Sequence, residues 1–308
     1  MSAIVEEQIT IPENINPAAG KPGQDSKGQI VAAEVKVNEG LSKMQRFLNT
    51  GALGNFRSTY REYMAEFLGT FVFISFTIGV MQQVKMEIGG YSATGNTLSW
   101  GIGFGFMLGL YMCAGISGGH VNPAITLSMA INRGFPWKKV PGYIIAQVLG
   151  AFFAALLNFT YFHAQILRFE KGSRDIQSAG LFVAFLADYM SIGSAFYAEF
   201  VNTAFFAGCI FAITDRLNTG ASNYAPMTLG LLMAGVGLSF GSLTGFIMNP
   251  ARDLGPRIFM SMAGWESIPW TGGDYFFWVT WVGPTFGAIL GGFLYEFFAC
   301  STPNNKFK

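Results

Sequence analysis

The sequence predicts an all-α membrane fold of six transmembrane helices and two re-entrant half-helices in an inverted repeat. Three observations predict it. The chain has 308 residues, 51% of them hydrophobic and 12% charged, about half the charged share of a typical soluble domain. Six apolar stretches each approach the roughly 20 residues that cross a bilayer. The tripeptide Asn-Pro-Ala occurs twice, at 122–124 and 249–251. Asn is a favoured N-cap and Pro a favoured first helical residue. Each triplet therefore starts a helix, with Pro123 and Ala124, or Pro250 and Ala251, in the first turn. Neither following segment is long enough to span alone, and irregular backbone at that depth must be covered by protein or line a cavity.

In chain order, residues 1–55 are polar and bear Gly and Pro, which predicts a mostly disordered tail. The stretch Leu41 to Leu48 suits a short amphipathic helix at a membrane surface. No secretory signal is visible in the first 20 residues. The channel-forming part is expected over 56–300: a first half 56–165, a connecting loop 166–193, a second half 194–300, then a C-terminal tail 301–308. The spans are expected near Met64–Met81, Leu98–Ile116, Val140–Phe162, Ala195–Ile213, Met227–Thr244 and Phe276–Phe298. Three glycine series at spacing four, 101/105/109, 237/241/245 and 283/287/291, predict faces where helices approach closely.

The halves echo one another beyond the triplets. Ala65-Glu66-Phe67 opens the first span and Ala198-Glu199-Phe200 opens the fourth. An odd number of spans, three, separates the repeats, so the halves insert with opposite orientation. Seven of the 19 Lys and Arg precede Met64. The loops otherwise tie at four basic residues a side, so the tail places both termini in the cytoplasm.

Several polar residues have no reason to sit in an apolar segment unless they work there. If the half-helices enter from opposite faces, their N-termini meet at mid-depth, each carrying about half a positive charge. The Asn122 and Asn249 amides then offer N–H donors to a passing oxygen, which favours neutral solutes over cations or protons. Arg252, directly after the second triplet, is a functional candidate because an intramembrane arginine is costly away from water or a cavity. Asp253 either pairs with it or holds the loop. Glu66 and Glu199 admit a proton relay, but their matched positions favour carboxylates that hold the re-entrant backbone. His120 is expected to fix its loop through a hydrogen bond, with a pH sensor as the alternative. Cys113, Cys209 and Cys300 lack metal spacing and read as buried apolar side chains. Asn158-Phe159-Thr160 fits the glycosylation pattern but lies inside a span. No catalytic constellation, metal site or cofactor motif is present, and a net charge of +1 gives no broad surface for nucleic acid.

These residues resemble the major intrinsic protein family, the aquaporins and aquaglyceroporins, over about residues 60–300. The resemblance implies a pore of six helices and two half-helices, no cofactor, and a homotetramer with one pore per subunit, in the plasma membrane. The stretch from Asn249 to Arg257 is similar to the glycerol-conducting branch, with Asp253 after the arginine and Arg257 four residues later. By offset from the triplets, the family's narrow filter falls on Ile102, Gly237, Phe246 and Arg252. An apolar wall beside hydrogen-bond donors suits a polyol. Ile102 stands where glycerol channels often carry an aromatic, and Trp100, two residues away, points elsewhere on a helix. Thr280-Trp281 is closer to the water-channel pattern. The expectation is a passive channel for glycerol, water and other small polyols or urea. A water-selective channel and a proton-coupled polyol carrier are the alternatives.

Overall fold

The computed structural model describes residues 42–87, 95–218 and 224–300, and every regular element among them is helical. They are α1 (Lys43–Asn49), α2 (Gly51–Met86), α3 (Gly95–Ser117), α4 (Pro123–Arg133), α5 (Val140–Tyr161), α6 (His163–Glu170), α7 (Ile176–Ala179), α8 (Ile192–Thr214), α9 (Ala225–Phe240), α10 (Pro250–Met262), α11 (Ile268–Tyr275) and α12 (Val279–Phe298). Among the described residues, those up to Thr59 and those from Tyr60 onward form separate compact units. Within the first, Ser42 and Gln45 form a capping box at the start of α1, and Arg57 Nη1 donates to the Leu48 carbonyl at 2.7 Å. The long helix α2 thus begins before the expected boundary at 56. Residues 1–41, most of the tail expected to be disordered, and the C-terminal tail 301–308 lie outside the described residues.

Five of these helices are long and apolar enough to cross a membrane. The expected fifth span is shorter: α9 has 16 residues, about 24 Å at 1.5 Å per residue. The chain turns at Gly241, whose N–H bonds the Gly237 carbonyl. Gly245 has φ +76° outside the helix, so the series 237/241/245 does not share one helix face. The turn has a consequence: it brings the Phe246 ring back against Gly237 and Gly241.

The other two glycine series are contact faces. A Cβ on Gly109 would lie 2.5 Å from the Gly69 carbonyl oxygen, and one on Gly291 would lie 2.0 Å from that of Ala204. These approaches join α3 to α2 and α12 to α8. Each half-helix packs on the last spanning helix of the other half, α4 on α12 and α10 on α5. Ser128 Oγ donates to the Ala288 carbonyl at 2.7 Å in the first of these contacts. In the second, Gly255 leaves no room for a side chain beside the Val148 carbonyl.

The half-helices run in opposite directions. Beyond the end of α4, Lys139 bonds Glu62 in the N-terminal third of α2. Beyond the end of α10, the Trp265 indole donates to Ser178, in the stretch whose Gly180 carbonyl accepts from Lys85 in the last turn of α2.

Candidate functional site

The two triplets meet. Asn122 Oδ1 accepts from the Ala124 N–H at 2.9 Å, and Asn249 Oδ1 accepts from the Ala251 N–H at 2.9 Å. Both are therefore N-caps, with Pro123 and Pro250 next in line. Asn122 Nδ2 donates to the Met248 carbonyl at 2.8 Å, and Asn249 Nδ2 donates to the Val121 carbonyl at 2.8 Å. Each amide therefore ties itself to the residue before the other triplet. An asparagine amide has two N–H donors, so the tie uses one on each side chain and leaves the other. Val121 (φ +43°) and Met248 (φ +49°) adopt left-handed backbone that β-branched and bulky residues rarely take. Over-determination by the surrounding hydrogen bonds holds such conformations in place.

Those bonds come from the two repeated glutamates. Glu66 accepts from the His120 and Val121 N–H groups at 2.9 and 2.7 Å, and from Ser117 and Gln147 side chains. Glu199 accepts from the Ile247 and Met248 N–H groups at 3.0 and 2.8 Å and from Thr244. Each carboxylate serves the re-entrant loop of its own half. Ring Nδ1 of His120 lies 3.2 Å from Thr126 Oγ1, while the ring packs against Phe135 and Tyr143. His120 is thus held between the start of α4 and the aromatic pair Phe135 and Tyr143.

Arg252 follows the second triplet and is 5% exposed. It lines a cavity of about 390 Å³ together with Ile102, Gly237 and Phe246. All four residues assigned to a filter are thus brought to one space. Arg252 Nη2 approaches the Met81 sulfur at 3.4 Å, and its Nη1 has no protein partner. Ile102 is 4% exposed within the protein and Trp100 is 43% exposed on the outside, as the helical spacing requires.

Gly237 has a different part from simple widening. A Cβ there would sit 2.7 Å from Phe246 Cζ and 2.8 Å from Ser99 Oγ. The glycine is the seat of the aromatic ring, and the ring makes the apolar wall.

Asp253 does not pair with Arg252. It forms a buried two-point ion pair with Arg257, Nε to Oδ2 at 2.5 Å and Nη2 to Oδ1 at 3.0 Å, and accepts from Thr280 Oγ1 at 2.6 Å. Arg257 also donates to the Pro269 and Ala184 carbonyls. It therefore clamps two loops beside the cavity, since Ala184 is a lining residue. The clue in the sequence was spacing, because residues four apart on a helix meet. Sequence reasoning passed over Lys85, Met81 and Ser99 as lining residues.

The cysteines divide: Cys113 is buried, Cys209 is exposed and Cys300 is intermediate. The apolar-core reading therefore fails for Cys209, which lies on an outward face of α8. Asn158 is buried and donates to the Ser75 and Ala154 carbonyls, a packing role rather than a glycosylation site.

Residues 55–295 match the family model described as Major intrinsic protein. The chain belongs to the major intrinsic protein family. Within it, similar relatives include Aquaglyceroporin-9 of Botryotinia fuckeliana, 40% identical over 79% of this chain and 54% of that protein. Aquaglyceroporin-2 of Rhizophagus irregularis is 41% identical over 77% of this chain and 76% of its own length. The chain thus spans little more than half of the first of these relatives and about three quarters of the second. Among solved structures, the aquaglyceroporin from Plasmodium falciparum superimposes with a TM-score of 0.71 at 28% identity, covering 78% of this chain and 96% of that one. The match to the major intrinsic protein family covers both triplets and all four filter positions.

Proposed function

We propose that this chain is a passive channel for glycerol and other small neutral solutes, including small polyols, urea and water, and that it excludes ions and protons. The observation that carries the proposal is the composition of one cavity. Phe246 and Ile102 give it an apolar wall, and Arg252 gives it a buried guanidinium. A polyol has a carbon face and a hydroxyl face, so it meets both at once. The names of the similar aquaglyceroporins support the same solute class.

At mid-depth the two N-capped helix starts meet, and both carry positive dipole ends. A cation approaching them loses hydration and gains repulsion. Neutral solutes accept hydrogen bonds from the remaining amide donors of Asn122 and Asn249. The carrier alternative needs a carboxylate free to exchange protons, whereas Glu66 and Glu199 are each engaged by backbone N–H groups and side chains.

On this reading the chain works in the plasma membrane as a homotetramer with one pore per subunit and both termini cytoplasmic. Vesicle swelling tests the function. Glycerol and water should both enter by non-saturating flux that is indifferent to a pH gradient. Water flow without glycerol entry would defeat the glycerol reading, and uptake driven by a pH gradient would defeat the passive one.

A further inference from the structure

The cavity lined by the four filter residues contains a second cation that passage of a neutral solute does not require. Lys85, in the last turn of α2, lines the cavity together with Arg252. Its ammonium donates to the Gly180 carbonyl, which uses one of its three N–H donors. Arg252, 95% buried, leaves Nη1 without a partner. No Asp or Glu stands among the described residues that line this space. The nearby carboxylates are already used: Glu199 by the loop at 244–248, and Asp253 by Arg257 and Thr280. Ser99 and Asn96 add polar lining.

The Lys85 ammonium, with two N–H donors to spare, and the Arg252 charge line one space with no facing carboxylate, which makes a receptor for negative charge, since hydrogen bonds between ionised groups are among the stronger ones. We propose that this cavity binds a small free oxyanion, bearing phosphate or carboxylate, between Lys85 and Arg252, and that the bound anion obstructs the passage of neutral solutes. The anion stops there because the next step, past Phe246 and Ile102, strips its remaining hydration without replacing it. The inference rests on the cavity being part of a solute pathway.

The test uses the full chain in phosphatidylcholine vesicles, with glycerol flux followed as sodium phosphate replaces sodium chloride at equal ionic strength. Phosphate should slow glycerol and water flux saturably. Lys85→Met should raise the half-inhibitory phosphate concentration at least about tenfold, the loss of one hydrogen bond to a charged group, and Lys85→Arg should preserve inhibition. Each variant is scaled to its own flux without phosphate. Sidedness tests the site with no substitution at all: in vesicles of one orientation, phosphate should act only from the Lys85 face. Inhibition should persist when phosphatidic acid is added to the vesicles, and its loss would assign the site to a lipid headgroup and overturn the free-anion proposal. Normal glycerol flux untouched by phosphate overturns it too, while leaving the pore reading intact. Equal inhibition of Lys85→Met, or inhibition from both faces, has the same effect. Absence of any flux would instead remove the pore reading.

Discussion

Gly237→Ala tests whether the filter is built on the contact between a glycine and an aromatic ring. The added methyl would lie 2.7 Å from Phe246 Cζ, 3.0 Å from Cε2 and 2.8 Å from Ser99 Oγ. Carbon atoms rest about 3.5–4.0 Å apart, so the ring must retreat by roughly 1 Å. Retreat along α9 is blocked, because Gly241 already stands against Phe246 Cδ1 with no space for a side chain of its own. Backbone adjustment is also limited, since the next N–H, Ile247, is held by Glu199 at 3.0 Å. The ring therefore moves into the cavity. Overpacking of this kind costs about 1–3 kcal/mol. If the passing solute bears that cost, flux falls about 5- to 150-fold, at tenfold per about 1.36 kcal/mol. Glycerol should suffer more than water, because only glycerol fills the cavity against the ring. Light scattering in vesicles under glycerol and sucrose gradients reads both fluxes, and Gly237→His should exaggerate the difference. Combining Gly237→Ala with Phe246→Leu should restore part of the glycerol flux. A parallel fall of both fluxes at normal membrane abundance would refute the reasoning.

Other substitutions address the scaffold. Asn249→Ala removes an N-cap, about 1 kcal/mol, and strands the buried Val121 carbonyl, about 1–3 kcal/mol more. Thermal unfolding in detergent should report a clear loss, and an unchanged midpoint would mean that the cross-tie contributes nothing. Arg257→Leu leaves Asp253 buried without its ion partner, a loss of about 3–5 kcal/mol. Replacing Asp253 and Arg257 together by apolar residues should be milder than either single change, and additive losses would contradict a mutual pair. Deleting residues 1–40 should leave a conducting pore. A truncated protein that inserts normally but stays closed would make the tail a required element, and one with raised flux would make it a gate.

What the sequence made legible were features that occur twice. Asn122 and Asn249 were recognisable as helix starts, and Glu66 and Glu199 as matched scaffold residues, because a coincidence in one half was checked by the other. Glycines at 101/105/109 and 283/287/291 were readable from helical spacing alone. Features that depend on backbone excursions were not. The positive φ at Phe246, Val121 and Met248 is carried by residues that normally avoid it, so no local propensity announces it. For the same reason α9 was expected to run to Thr244, though the chain turns at Gly241. Arg257 was not picked out as the partner of Asp253, because Arg252 is adjacent in sequence, whereas successive helical residues point about 100° apart and residues four apart align. No motif or spacing in the sequence singled out Lys85. Its place in the cavity depends on the Gly180 stretch folding back over the end of α2, a long-range contact that no spacing encodes.

The reciprocal amide bonds also bear on biogenesis. The Val121 carbonyl waits for an asparagine 128 positions downstream, which at 5–20 residues per second of synthesis is a delay of roughly 6–26 s. Until then the first re-entrant loop has its glutamate but lacks its counterpart across the pseudo-symmetry axis. Newly inserted first halves are thus incomplete by construction, and the two repeats mature as one unit rather than in succession.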